Sequence, residues 1–270
     1  MWLEAIVLAV VQAVTEFLPI SSSGHLLVIP AVLGWSDGYA TSLTLSVALH
    51  VGTALALVAA LWRDWLWLVR GVLGRGTHAA VARRLMASIA LATVAVGAAA
   101  WPLKDVFEDA RYAWVSAAML MGFGALLAIA DRLGATRWAL DTASWRAWML
   151  VGLSQFLALV PGVSRSGITL TAGRALGIER QATARFSFLA STPLVLAVGA
   201  VQLGGAVRSG ATGDQAGPLL AGTAVAAVVG VAVIRWLLAF VASHGLWIFA
   251  AYRIAFGTAV LAFLAVRGSA

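Results

Sequence analysis

Six apolar runs, each long enough to cross a lipid bilayer as a helix, recur along this chain of 270 residues. Crossing the hydrocarbon core takes about 20 mainly apolar residues in helical form. The runs are rich in Ala, Val and Leu and lack the strict two-residue alternation of a membrane β-strand. The sequence therefore predicts an all-α integral membrane protein with six transmembrane helices. The predicted spans are Leu43–Leu61, Leu85–Leu103, Ala113–Ala130, Phe186–Leu203, Leu219–Val241 and Trp247–Val266.

The composition agrees with a bilayer environment and excludes several other classes of protein. Hydrophobic residues make up 62% of the chain and charged residues 11%, whereas soluble domains are about 45–50% apolar and about 25% charged. A disordered tail and an ordinary soluble enzyme are therefore excluded. The formal net charge of +7 comes from basic residues scattered between apolar runs, which favours loops that orient the protein in a membrane over nucleic-acid binding. Cysteine is absent, which excludes disulfides and zinc–thiolate sites.

Two further apolar stretches are interrupted by Pro, Ser and Gly. The first runs from Trp2 to Leu33 and breaks at residues 19–25, and the second runs from Trp145 to Leu176 and breaks at residues 161–167. Neither half of either stretch is long enough to span alone. Broken backbone at membrane depth is tolerated where protein or a water-filled cavity supplies hydrogen bonds. We therefore expect two re-entrant broken helical hairpins.

The two interrupted stretches share a pattern that indicates an internal repeat. Ser-x-Ser-Gly occurs at Ser21–Gly24 and again at Ser164–Gly167, and a Gln precedes each pattern by nine residues, at Gln12 and Gln155. Each hairpin is followed by three spans. The sequence predicts a single membrane domain over residues 1–270, with a first repeat over 1–138 and a second over 139–270.

Loop charges predict how the repeats lie in the membrane. The segments 62–84 and 131–146 carry an excess of Arg, whereas 104–111 carries Asp105, Glu108 and Asp109 against Lys104 and Arg111. Arg-rich loops stay in the cytoplasm, so the acidic segment lies outside and the two repeats have inverted topology. Their hairpins would then meet near the midplane, where inverted-repeat folds place a binding site.

The first hairpin carries a carboxylate, hydroxyls and an imidazole. Gln12 and Glu16 are four residues apart and share a helix face, and a carboxylate inside an apolar run by default marks function. His25 follows Ser22 by three residues, which is close enough for a base to reach a hydroxyl on a helix. The alternative is that the serines cap a helix and His25 binds a buried carbonyl.

The second hairpin carries the elements of an anion site. Ser164, Arg165, Ser166 and Thr169 stand at the predicted start of a helix. Backbone N–H groups at a helix N-terminus, hydroxyls and one Arg bind phosphate well. The alternative for Arg165 is a side chain that snorkels to the interface.

Other polar residues carry weaker predictions. His50 lies mid-span and either lines a cavity or is packed and hydrogen-bonded. Arg235 and Arg253 lie within or near the ends of the last two spans, and snorkelling is the favoured interpretation for Arg235. Tyr252 and Arg253 form a weaker candidate for the site.

Three segments resemble a known family. Glu16–His25 (EFLPISSSGH) and Pro161–Gly167 (PGVSRSG) are similar to the two signature motifs of the undecaprenyl-diphosphate phosphatases, the bacitracin-resistance family, and Phe186–Leu189 (FSFL) resembles the family as well. The resemblance covers essentially the whole chain. It implies hydrolysis of undecaprenyl diphosphate to undecaprenyl phosphate and inorganic phosphate with a divalent cation, Mg²⁺ or Ca²⁺. It also implies recycling of the lipid carrier for peptidoglycan synthesis, bacitracin resistance, and a site open to the outer face of the bacterial inner membrane.

The resemblance assigns roles to individual residues. It places the serine nucleophile on Ser22, the motif histidine on His25, the phosphate-binding arginine on Arg165 and an acidic position on Glu16, which are the predicted catalytic residues. Gln12 stands where the family often has Glu, and Gln12 and Glu16 are the predicted metal ligands. The predicted substrate-binding residues are Gln12, Ser21, Ser23, Ser164, Ser166 and Thr169.

The residues leave the attacking group and one rival function open. Ser22 attacks with His25 as base, or His25 attacks phosphorus itself, or His25 activates water. A flippase or transporter of a polyprenyl phosphate is the alternative function, since inverted repeats with broken helices are common in transporters. A purely structural subunit would leave Glu16 and Arg165 unexplained at membrane depth. The expected partners are the polyprenyl diphosphate and membrane lipids, with no nucleic acid, and a homodimer is left open.

Overall fold

The computed structural model describes residues 1–35, 38–109, 112–208 and 213–267, and within these ranges the chain is almost entirely helical. The only extended pairing in the described part of the chain is a single bridge between Trp138 and Ile178. The helices are α1 (Trp2–Phe17), α2 (Ser22–Val32), α3 (Leu43–Leu73), α4 (Thr77–Asp109), α5 (Ala113–Leu133), α6 (Trp145–Leu153), α7 (Arg165–Ala175), α8 (Arg180–Arg208), α9 (Gly213–Ser243) and α10 (Trp247–Arg267), with 3₁₀ helices at Tyr39–Thr41 and Ser154–Leu159. The predicted all-α class is confirmed.

Six of these helices are long and apolar enough to cross a membrane, as the sequence predicts. They are α3, α4, α5, α8, α9 and α10. The helices α3 and α4 are longer than the predicted spans, because nothing between residues 62 and 73 breaks a helix. The expected Arg-rich loop over 62–84 is therefore wrong in extent, and the connection is only residues 74–76. Its Gly76 has a φ of +87°, which glycine adopts without strain. The expected acidic loop is likewise helical as far as Asp109, and residues 110–111 lie outside the described residues.

The two halves of the chain have matching helix lengths. Helices α3, α4 and α5 contain 31, 33 and 21 residues, and α8, α9 and α10 contain 29, 31 and 21. The short helices α2 and α7 both contain 11 residues. The repeat over 1–138 and 139–270 stays a prediction, as does the inverted and re-entrant arrangement in a bilayer.

Close helix packing rests on small residues. A Cβ at Gly52 of α3 would lie against the Thr223 carbonyl of α9, and one at Gly230 of α9 would lie against Ala56 of α3. Small residues let helix backbones approach closely, which is how helices associate in a membrane. The helix pair α3 and α9 then holds α1, because Phe17 also lies against Gly230.

Aromatic side chains fix the end of α1 against α8. The rings of Phe17 and Phe188 meet edge to face with centroids 5.8 Å apart, and Trp148 stacks on Phe186 at 4.4 Å. Phe17 is 2% exposed and Phe186 is fully buried. Such pairs add to the free energy gained by burying the rings. The residues that follow Phe17 are thereby held at a fixed place beside the first turns of α8.

A buried ion cluster connects the C-terminal ends of α5 and α7 with the N-terminal ends of α8 and α10. Asp131 of α5 accepts hydrogen bonds from Arg174 Nε of α7 at 3.1 Å, from Arg180 Nε of α8 at 2.6 Å and from Leu246 N at the start of α10 at 2.8 Å. Arg174 is 1% exposed and also donates to backbone carbonyls. A buried charge is stable only with such partners, so the cluster fixes α7 relative to its neighbours.

Candidate active site

The backbone is strained at the two serines that begin the repeated motif. Ser21 has a φ of 73° and Ser164 a φ of 70°, and no other non-glycine residue in the described ranges has a positive φ. Each precedes an 11-residue helix, and the Ser164 Oγ accepts a hydrogen bond from Gly167 N at 3.2 Å. Such strain costs about 1–3 kcal/mol at each position and clusters at functional sites. The same conformation at both positions agrees with the sequence repeat.

The two interrupted segments, residues 19–25 and 161–167, lie against each other, and we call them the motif loops. Gly162 N donates to the Ser23 Oγ at 3.4 Å, and the Ser166 Oγ donates to the Leu18 carbonyl at 3.0 Å. A Cβ at Gly162, whose φ is +92°, would overlap the Ser116 carbonyl of α5. Only glycine fits this backbone shape in this space.

Arg253 of α10 donates hydrogen bonds to both motif loops. Its side chain is fully buried and donates to the carbonyls of Pro19 at 3.2 Å, Gly162 at 3.1 Å and Val163 at 2.8 Å, and to Leu120 of α5. Arg253 therefore does not snorkel but holds the loops together. Its charge inside an apolar span indicates a special role but does not identify these partners. Arg235, in contrast, is exposed.

Glu16 connects two other predicted catalytic residues, Ser22 and Arg165. Its Oε1 forms a salt bridge with Arg165 Nη2, and its Oε2 accepts a hydrogen bond from the Ser22 Oγ at 2.6 Å. The Glu16 side chain is 6% exposed and that of Arg165 is 22% exposed. Charge-assisted hydrogen bonds of this kind are roughly twice as strong as neutral ones. A hydroxyl of the first motif and the guanidinium of the second thus meet at one carboxylate.

A cavity of about 240 Å³ opens beside this cluster, and we call it the polar chamber. Gln155, at the position in the second repeat that matches Gln12, contributes to its wall, and its Oε1 accepts from Ser191 Oγ at 3.3 Å. The polar residues that line the chamber are Thr15, Glu16, Ser21, Ser22, Ser23, His50, Gln155, Ser164 and Arg165. The structure therefore brings six of the predicted site residues to one space.

A larger cavity of about 630 Å³ adjoins the polar chamber, and we call it the apolar cavity. Much of its wall is leucine, from α1, α2 and α3. The two cavities share five lining residues, which are Ser22, Ser23, His50, Ala158 and Leu159. A molecule with a charged head and an apolar tail therefore fits across the junction.

His25 lies outside both cavities and does not pair with Ser22. Its Nδ1 donates to the Ser21 carbonyl at 2.7 Å, and its Nε2 lies 2.7 Å from the Tyr252 hydroxyl. The ring is 3% exposed and stacks on Phe256 with centroids 4.1 Å apart. The expected Ser22–His25 pair is therefore not formed, because both ring nitrogens have other partners. The alternative interpretation, a His that binds a buried carbonyl, describes this arrangement.

Three of the predicted substrate-binding residues line neither the polar chamber nor the apolar cavity. Gln12 and Thr169 are fully buried, and the Thr169 Oγ1 lies 2.6 Å from the Ser187 Oγ of the FSFL segment. Ser166 donates to the Leu18 carbonyl. These side chains support the loops in the described structure, whereas Ser21, Ser23 and Ser164 line the polar chamber.

Few side chains at this site can act as metal ligands, which limits how a cation could be bound. Within the described ranges no three His, Asp or Glu side chains come together. Gln12 Oε1, however, is buried without a hydrogen-bond partner, and Gln12 Nε2 lies 3.4 Å from Glu16 Oε2. One carboxylate with one amide oxygen fits an ion such as Mg²⁺ that takes its other ligands from water and substrate.

The chain is similar to known proteins along nearly its whole length. The chain is 41% identical to an undecaprenyl-diphosphatase of Geobacter sulfurreducens over 98% of this chain and 99% of that protein. It is 44% identical to proteins of the same name from Gemmatimonas aurantiaca and Trichlorobacter lovleyi, with at least 97% of each chain covered. The family described as bacitracin resistance protein BacA matches residues 5–259. The chain belongs to the bacitracin resistance protein BacA family.

Proposed function

We propose that this chain is a multi-pass membrane phosphatase that hydrolyses undecaprenyl diphosphate to undecaprenyl phosphate and inorganic phosphate. Relatives that carry the name undecaprenyl-diphosphatase match it along nearly its whole length. The observation that carries the proposal is the contact of Ser22 and Arg165 with one carboxylate, that of Glu16. The activity recycles the lipid carrier of peptidoglycan synthesis, and with it comes the bacitracin resistance after which the family is named.

Glu16 serves as the base and Ser22 as the nucleophile. The 2.6 Å hydrogen bond between them already points the hydroxyl proton at a carboxylate, which is the geometry that a base needs. The Ser22 oxygen forms a bond to the terminal phosphorus, its proton passes to Glu16, and the bond from that phosphorus to the bridging oxygen breaks. Undecaprenyl phosphate leaves with the bridging oxygen. Water then attacks the phosphorus of phosphoserine, and the bond from that phosphorus to the Ser22 oxygen breaks. The proton on Glu16 returns to Ser22, and inorganic phosphate leaves with both protons of the water.

During this reaction Arg165 changes its partner from the Glu16 carboxylate to the terminal phosphate of the substrate. Without substrate its guanidinium pairs with Glu16. A terminal phosphate beside Ser22 offers a bidentate partner with more negative charge, for which the guanidinium is well shaped. When Arg165 turns to the phosphate, the Glu16 carboxylate loses its strongest partner and becomes a better base. Ser21, Ser23 and Ser164 on the chamber wall supply further hydrogen bonds.

His25 positions the loop rather than reacting. It binds the carbonyl of Ser21, the residue with the left-handed backbone directly before the nucleophile. With Nδ1 donating to that carbonyl, the neutral ring accepts from Tyr252 at Nε2. The stack on Phe256 keeps the ring plane fixed. His25 thereby stabilises the strained turn that aims Ser22.

Glu16 and Gln12 are the residues that would hold a divalent cation, Mg²⁺ or Ca²⁺. The unpartnered Gln12 Oε1 supplies an amide ligand beside the carboxylate. When bound, the cation offsets the negative charge of the phosphates.

The site opens to the outer face of the bacterial inner membrane. Ala100 of α4 and Ser116 of α5 line the apolar cavity. They flank the acidic segment 104–111, which loop charge predicts to lie outside. The leucine wall of the same cavity suits the first isoprene units of the lipid.

Phosphate release from undecaprenyl diphosphate by the purified protein tests the proposal. Wild-type protein should release phosphate, addition of EDTA should abolish the release, and Mg²⁺ or Ca²⁺ should restore it. Glu16→Gln should be inactive, whereas the control Thr258→Ala, on the exposed side of α10, should match wild type. Wild-type release by Glu16→Gln would contradict the assigned base.

The matching halves of the chain also favour a second function, movement of the lipid phosphate across the membrane. Repeats built around broken helices are common in transporters, and the helix lengths of the two halves agree closely. Transfer of labelled undecaprenyl phosphate between leaflets of protein-containing liposomes tests this candidate. Ser22→Ala should keep the fold and lose hydrolysis. Transfer by this variant would support the second function, and the absence of transfer by wild-type protein would exclude it.

A further inference from the structure

His50 of α3 is the imidazole that faces the cavities. Its Nδ1 donates to the Ser46 carbonyl one helical turn earlier, at 2.8 Å. Its Nε2 has no hydrogen-bond partner among the residues that the structure describes. The ring lines both the polar chamber and the apolar cavity. His50 is thus anchored on one side and presents its second nitrogen to the space between the two cavities.

The shape of the substrate fixes which group lies at that junction. Attack requires the terminal phosphate to sit in the polar chamber, beside Ser22 and Arg165. The apolar tail has to leave toward the leucine-lined cavity, because burying it among charged groups would be unfavourable. The phosphate attached to the lipid lies between these two ends. It therefore comes to the junction, where the shared residues are Ser22, Ser23, His50, Ala158 and Leu159.

His50 is the shared residue suited to that phosphate. Ala158 and Leu159 are apolar, Ser22 is the nucleophile, and Ser23 offers only a neutral hydroxyl that also bonds to Ser21 Oγ at 3.1 Å. With Nδ1 donating to a carbonyl, Nε2 is the ring nitrogen left for the phosphate, and it donates a hydrogen bond there when the ring binds as the imidazolium, in which both nitrogens carry protons. Hydrogen bonds from a cationic donor to phosphate are short and strong.

We propose that His50 binds the lipid-proximal phosphate and so distinguishes a diphosphate substrate from a monophosphate. This inference rests on the proposed diphosphatase function. In the reaction this phosphate becomes the leaving group, and its charge grows as the bond to the bridging oxygen breaks. A donor placed there stabilises the transition state more than the bound substrate.

Two non-hydrolysable probes separate the two phosphate positions. Methylenediphosphonate has both phosphorus groups, joined by a carbon that cannot be cleaved, and methylphosphonate has one. Both are tested as competitive inhibitors of phosphate release from farnesyl diphosphate. His50→Ala should weaken inhibition by methylenediphosphonate about tenfold and leave that by methylphosphonate within about twofold. His50→Gln, which keeps an N–H donor near the same place, should restore most of the diphosphonate inhibition.

The outcomes that overturn the inference differ from those that overturn the function. An equal loss for both probes would show that His50 shapes the whole chamber, and an equal loss in His50→Ala and His50→Gln would show that the donor is irrelevant. Either result overturns the inference while hydrolysis by wild-type protein still supports the function. His244→Ala, an exposed histidine bonded to Ser243 at the end of α9, is the matched control and should behave as wild type. Absence of hydrolysis by wild-type protein would overturn both.

Discussion

The Ser22 Oγ donates a 2.6 Å hydrogen bond to the Glu16 Oε2 across the break between α1 and α2. Ser22 follows Glu16 by six positions, more than one helical turn, so a continuous helix would not bring the two side chains together in this way. The left-handed Ser21 between them turns the chain so that the hydroxyl points back at the carboxylate. The interruption of the apolar stretch is therefore what creates the reactive pair.

Two replacements of Arg165 distinguish the contribution of its positive charge from that of its planar guanidinium. We expect Arg165→Lys to lower kcat/KM about 10²-fold and Arg165→Ala about 10³-fold or more, because lysine keeps the charge and loses the bidentate grip on phosphate. Phosphate release at several substrate concentrations measures this. Equal activity of Arg165→Lys and wild type would show that the planar guanidinium is not needed.

Replacing Tyr252, which is hydrogen-bonded to His25, should have a smaller effect than replacing His25 itself. Tyr252→Phe removes one hydrogen bond and should destabilise the first motif loop by about 1 kcal/mol, with a loss of activity below about tenfold. His25→Ala also removes the bond to Ser21 and the stack on Phe256, and should cost far more. Phosphate release and thermal unfolding in detergent should be measured on both variants. A larger loss in Tyr252→Phe than in His25→Ala would refute the positioning role.

Gly162 should tolerate no side chain. Gly162→Ala would force a Cβ into the Ser116 carbonyl at a φ of +92°, so we expect destabilisation of about 2–4 kcal/mol. Gly122→Ala is the matched control, because its Cβ would meet open space in the middle of α5 and alanine favours helix. Thermal unfolding in detergent compares the two. Similar melting temperatures for both variants would argue against the close packing of the loop on α5.

Arg253 should be essential for the fold rather than for chemistry. Arg253→Met leaves buried carbonyls at Pro19, Gly162 and Val163 without donors, which should cost at least about 3 kcal/mol. Arg235→Met, at an exposed position of α9, should change stability by less than about 0.5 kcal/mol. Melting temperatures of the two variants provide the comparison. Equal stability would contradict the role of Arg253 in joining the motif loops.

The transmembrane helices and half of the site were predictable because local composition determines them. An apolar run of bilayer length has few alternatives to a helix, and the charges of Glu16 and Arg165 stand out in such surroundings. Helix ends were less predictable, since the arginines of α3 and α4 continue the helices instead of forming a loop.

The partners of His25 and Arg253 were beyond sequence reasoning because they come from distant segments. His25 and Tyr252 are 227 residues apart, and Arg253 meets carbonyls of both halves of the chain. Sequence spacing suggested a base for Ser22 within the same helix, yet the left-handed Ser21 aims the hydroxyl at Glu16. A charged residue inside an apolar span was the one available signal for Arg253.

A double-mutant cycle on Glu16 and Ser22 tests the central claim most directly. Phosphate release from undecaprenyl diphosphate is measured for wild type, Glu16→Gln, Ser22→Ala and the double variant. Residues that act as one unit are strongly non-additive, so the double variant should be no slower than the slower single variant. Losses that multiply in the double variant would show that Glu16 and Ser22 act independently, and would contradict the base–nucleophile pair.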